Sequence, residues 1–143
     1  MREIKFRGIP LFGKDFIYGS LIIEKNEKSE DTYTIKRNEN SKVHYFEVKP
    51  ESVGQYTGFK LKDVKVYEAD IIKARKDFLY EVKFEDGAFS LYHLNKYEGT
   101  EQIKWGLLYR LFASDMEDIL NQCEVIGNIY THRFLLDNNK GEI

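Results

Sequence analysis

A chain of 143 residues suits one domain, or two small subdomains sharing a core, and buries about two-thirds of its unfolded surface without a disulfide framework. Its 22 basic and 24 acidic residues leave a net charge of −2, which excludes a global positive field for nucleic acid or an anionic membrane and leaves only local basic patches. The lone Cys123 has no intrachain partner and suits a reducing cytoplasm, while the absence of any long apolar run predicts neither a signal peptide nor a transmembrane helix.

Aromatic residues make up 15% of the chain and fall in short alternating segments, the pattern of strands with well-filled faces. Ile4 and Phe6 alternate with charged neighbours as a first strand, which Gly8 and Pro10 end. Phe16 to Ile23 predicts a longer second strand, with Gly19 marking a bulge or a close backbone approach. The polar run Glu24 to Asp31 reads as a hairpin connection. Thr32 to Lys36 and Val43 to Val48 follow as strands around the turn-rich Asn38-Glu39-Asn40-Ser41, and Lys49 before Pro50 is restricted to extended geometry.

Val53 to Phe59 then separates two β-rich halves. Gly54 and Gly58 bracket Gln55, Tyr56 and Thr57, a spacing suited to turns with φ > 0 or to close chain packing. Leu61-Lys62-Asp63 reads as connection, with Val64 and Val66 facing inward beyond it. Tyr67, Glu68, Ala69 and Asp70 lead into Ile71 to Ala74, a strand start whose carboxylates are placed to accept local backbone N–H groups. In the clearest hairpin, Asp86-Gly87 fits a two-residue type I′ turn, pairing Glu85 with Ala88 and Phe84 with Phe89. Between Trp105 and Cys123 the period changes, Leu108, Leu111, Phe112, Met116, Ile119, Leu120 and Cys123 recurring every three or four positions, and Ser114 with Glu117 forms a capping box, so a short helix is expected near 115–122. Glu124 to Tyr130 returns to strand character, and the tail is expected to fray.

These segments predict a mainly β (α+β) fold: an N-terminal antiparallel meander over 1–50, then a small, strongly bent SH3-like sheet or barrel with one short helix over 51–136, then a tail over 137–143. Strands that do not alternate with helices exclude a parallel α/β architecture.

The chain resembles the YopX family of phage- and prophage-encoded proteins. The resemblance is carried in order by Arg2 to Gly8, Tyr18 to Leu21, Val53 to Gly58, Val66 to Ile71, Asp86 to Phe89 and Val125 to Tyr130. It implies a mainly β fold with some helix, a phage or prophage context inside a host cell, and no assigned activity. Three departures stand out. Ala69 replaces the family's usual glycine, predicting a looser backbone there; the connection before it is shorter and lacks an Asn-Gly turn; and Thr131-His132-Arg133-Phe134 replaces Glu-Asn-Pro.

No catalytic constellation is legible. Glu68 and Asp70, read as i and i+2 residues on one strand face, fit backbone capping better than general acid/base work. His44, His93, His132 and Cys123 show no metal-ligand spacing, so neither metal nor cofactor is expected; Cys123 sits at an apolar helix position. Gly54 to Gly58 lacks the Lys-Ser/Thr of a phosphate loop. Lys60, Lys62, Lys65, Lys73, Arg75 and Lys76, interleaved with Tyr56, Phe59 and Tyr67, form a candidate nucleic-acid surface, opposed by Asp63, Glu68, Asp70 and Asp77. The preferred expectation is a non-enzymatic protein-interaction or assembly module with a protein partner or self-association, and the alternative is nucleic-acid binding through residues 56–76.

Overall fold

A computed structural model describes residues 2–74, 78–94 and 122–132 with side chains, and 104–107 as backbone. The chain divides into two units, Met1–Gly58 and Phe59–Ile143. The described residues are mainly β, in two antiparallel sheets.

The first unit holds β1 (Phe6–Gly8), β2 (Ile17–Lys25), β3 (Asp31–Glu39), β4 (Lys42–Glu47) and the start of β5 (Gly54–Leu61), which crosses the boundary. Their order is β4-β3-β2-β1-β5. The first strand begins two residues later than the alternation implied, and Ile4 stays exposed, because pairing with Tyr18 and Gly54 selects Arg7 and its neighbours. The order of the meander is as expected, but Glu24 and Lys25 continue β2 and Asp31 opens β3, so the connection is shorter than the polar run implied. Asn40 and Ser41, at φ 52° and 65°, form a two-residue turn that pairs Glu39 with Lys42 and sets the register through Thr34 opposite Glu47.

Gly19 is a close-approach glycine: a Cβ built there would lie 2.0 Å from the Lys36 carbonyl oxygen. At that point β2 passes from pairing with β1 to pairing with β3, so no side chain fits. The core of this unit includes Ile9, Ile35, Val48 and Tyr56. Lys49 is extended at ψ 122° before a 3-10 turn, Pro50–Ser52. The buried Ser52 hydroxyl accepts the Ile9 N–H at 2.8 Å and donates to the Lys49 carbonyl at 2.7 Å. Beyond β1 the chain bridges Pro10 to Val48, with the Leu11 N–H donating to the Glu47 carbonyl and the Lys49 N–H to the Ile9 carbonyl.

The second unit takes up β5 at Phe59 and continues through β6 (Val64–Tyr67), the next neighbour of β5. Lys62 and Asp63, at φ 49° and 63°, make the tight turn between them. Its sheet has the order β10-β9-β8-β7-β11, from β7 (Asp70–Lys73), β8 (Leu79–Glu85), β9 (Ala88–His93), β10 (Lys104–Leu107) and β11 (Glu124–Asn128). Asp86 and Gly87, at φ 52° and 79°, form the expected turn with the expected register, and the rings of Phe84 and Phe89 meet edge to face at 5.0 Å. Leu61, Val66, Ile72, Tyr80, Val82, Leu91 and Cys123 form the core cluster.

Four expectations need correction. The five-stranded order is linear, with β10 and β11 at opposite ends, so no closed barrel forms among the described residues. Register shifts in β10 and β11 instead mark local irregularities, features that increase twist without closure. Lys104–Leu107 is a strand paired with β9, so the change of period expected from Trp105 onward does not begin there. Val64 is exposed, and only Val66 turns inward. Cys123 does not extend a helix: it follows a turn residue at 122 and packs in the core just before β11. The expected helix otherwise falls on 115–121, outside the described residues.

Candidate functional site

In the first unit, Gly54 to Gly58 form strand and not a loop. Gly54 lies opposite Arg7, Gln55 opposite Phe6, and the Tyr56 N–H donates to the Lys5 carbonyl at 2.8 Å. Tyr56 and Thr57 are buried. Gly58 has φ +91°, and a Cβ there would meet only Arg2 side-chain carbons at 3.9 Å. Backbone conformation, not crowding, is what calls for glycine. Sequence reading missed Arg7, which is buried with its guanidinium 4.1 Å from the centre of the Phe16 ring. Its only signal was a position inside an alternating strand, where a charged residue is normally assigned to the wet face.

In the second unit, Tyr67 to Asp70 build a tied turn between β6 and β7. The Asp70 carboxylate, only 3% exposed, accepts the Tyr67 N–H at 2.8 Å. Ala69 stands at φ 73°, its N–H donating to the Val82 carbonyl at 2.7 Å and its carbonyl accepting the Ile129 N–H at 3.0 Å. The looser backbone expected from alanine does not occur, because these two tertiary bonds hold the left-handed conformation without a glycine. Glu68 is in the turn and Asp70 opens β7, so the shared strand face assumed for these carboxylates does not exist.

The six basic positions are only partly gathered. Lys60 is exposed on β5, Lys62 is at the turn, and Lys65 and Lys73 are half-buried on β6 and β7. Glu124 lies directly opposite Lys73 in the β7–β11 ladder, and its carboxylate is 4.0 Å from the Lys62 ammonium. A carboxylate therefore sits within the lysine group. Arg75 and Lys76 lie outside the described residues.

A family model described as YopX protein matches residues 5–137. The chain belongs to the YopX family. No curated protein matches it. The matched span takes in the hairpin Asp86-Gly87, the tied turn at Asp70 and the β11 end, where the Asn128 side chain accepts the N–H groups of Tyr130 and Thr131. There the His132 Nδ1 accepts the Asn128 N–H at 3.2 Å.

The remaining titratable groups are dispersed. His93 is buried between Phe78 and Tyr80, with ring centres 5.2 and 5.1 Å away. Among the described residues no group of three or more His, Cys, Asp or Glu is placed to hold a metal. On β8 and β9, Tyr92 donates a short hydrogen bond to Glu85, which pushes the phenol up to about 12. Burial pushes the carboxyl of Glu81 up, with Lys83 opposing, and burial also raises the Cys123 thiol. A buried thiol held protonated is a poor nucleophile. No helix among the described residues is long and apolar enough to cross a membrane.

Proposed function

We propose that this YopX protein is a non-enzymatic protein-interaction or assembly module, acting in the cytoplasm of a host in a phage or prophage context. One observation carries that reading: among the described residues β4 ends the first sheet and presents an unpaired side, with Val43 48% and Tyr45 62% exposed. Unpaired backbone groups beside exposed apolar side chains form a template for another chain. The Asp70 carboxylate, which accepts the Tyr67 N–H, adds support by serving the backbone where an acid/base group would need a reacting partner. Light scattering over a range of concentrations, with affinity capture from host lysate, tests the reading; a strict monomer that retains nothing overturns it.

The alternative proposal is nucleic-acid binding through Lys60, Lys62, Lys65 and Lys73. Glu124 among these lysines weakens it, since a carboxylate repels phosphate at the same place. Titration with labelled single-stranded DNA and RNA at low and moderate salt decides it; absence of binding at low salt removes it.

A further inference from the structure

The side of β4 left open among the described residues has a definite hydrogen-bonding phase. The Val48 N–H donates to the Tyr33 carbonyl at 2.9 Å, flanking the Thr34–Glu47 pair, so Glu47 does not bond to β3. Its carbonyl instead accepts the Leu11 N–H on the other side at 3.2 Å. Backbone direction alternates along a strand, so the N–H and C=O groups of Tyr45 and Val43 also point away from β3.

Leu11 also sets a limit. It occupies the strand position beside Glu47, so an incoming chain has room only from Phe46 back to Lys42. That blocks one register of a second copy: joining Val43 to Tyr45 of the copy would drive its Ser41 into the space Leu11 fills. A free chain end escapes the clash. Charge then chooses its direction. The exposed Glu47 carboxylate stands at the blocked end and the exposed Lys42 ammonium at the other. An antiparallel segment whose positive amino end stops beside Glu47, with an acidic residue opposite Lys42, is complementary at both ends. A parallel segment would bring a carboxyl-terminal end to Glu47.

Resting on the reading of this protein as an interaction module, we infer that β4 captures a short extended segment with a free amino end. The segment runs antiparallel, with apolar β-branched residues opposite Tyr45 and Val43 and an acidic residue opposite Lys42. Alternate residues on one side of the segment share the face of Val43 and Tyr45.

The probe is the synthetic peptide Lys-Val-Thr-Val-Glu with a free amino terminus and an amidated carboxyl terminus, titrated against the full chain with amide NMR shifts as readout. Shifts should centre on Val43 to Tyr45. The acetylated reverse peptide Glu-Val-Thr-Val-Lys should bind about fivefold more weakly, from two exposed charge contacts exchanged for repulsions. N-methylation of both valines should abolish binding, as should Tyr45→Pro, which removes an outward N–H and leaves the β3–β4 ladder intact. Equal binding of both peptides, or binding kept by a folded Tyr45→Pro variant, overturns the inference. Lack of peptide binding alongside concentration-dependent assembly also overturns it, while leaving the broader interaction reading standing.

Discussion

The carboxylate of Asp70 accepts the backbone N–H of Tyr67 at 2.8 Å from a position only 3% exposed. A buried cap of this kind holds the chain as it passes from β6 to β7. Asp70→Ala leaves the Tyr67 N–H without that acceptor and is expected to cost about 2–3 kcal/mol. Asp70→Asn, which keeps an acceptor oxygen, should cost less. Urea unfolding of the three proteins measures both; an Asp70→Ala variant as stable as the parent removes the capping role.

One residue earlier, Ala69 holds φ 73° with a side chain that disfavours it. A β-branched side chain at such a φ is strained beyond the roughly 1–2 kcal/mol that left-handed backbone costs ordinary residues. Ala69→Val should therefore lose at least about 2 kcal/mol. In Ala69→Gly the relief of strain and the loss of a buried methyl oppose each other, so its stability should stay within about 1 kcal/mol of the parent. Thermal midpoints of both variants give the comparison, and an Ala69→Val variant of parental stability would contradict the assigned conformation.

Lys62 and Asp63 form a turn that asks both residues for positive φ. Replacing them together by Asn and Gly supplies the preferred chemistry and should stabilise by about 1 kcal/mol. The same change removes the Lys62–Glu124 ion pair, which is half-exposed at 4.0 Å and contributes little. Denaturant midpoints that fall on this double change would show that the turn is not the feature selected.

The Tyr92 phenol is pushed from 10.0 to about 12 because it donates to Glu85. A folded value above the unfolded one gives a contribution that is complete below pH 10.0 and is lost as pH rises through about 12. Tyr92→Phe should flatten the fall in stability over that interval. Glu81, raised by burial, acts in the acid range with the same sign: its contribution is complete below the ordinary carboxyl value and is lost as pH rises from there through its shifted value. Glu81→Gln should remove that decline. Unfolding free energies measured across pH test both, and an unchanged alkaline limb in Tyr92→Phe would refute the first.

Local rules made much of this architecture readable. Asp86-Gly87 announced its own turn, so the register of Phe84 against Phe89 followed from the chain alone. The strands of the meander were legible because period-two alternation depends only on neighbours in sequence. Lys62-Asp63 was read as plain connection because no glycine follows the aspartate to signal a turn, and the strand at Lys104–Leu107 was hidden because the change of period was placed at Trp105, inside it.

By itself, the sequence determined the β class, the family wording and the register of the Asp86-Gly87 hairpin, since each rests on residues a few positions apart. Tertiary structure alone decided that Ala69 keeps a glycine-like conformation, through bonds to Val82 and Ile129 far along the chain. It likewise decided that Leu11 stops the edge of β4 at Glu47, leaving Val43 and Tyr45 open. Both outcomes depend on partners that only folding brings into hydrogen-bonding distance, which no local pattern encodes.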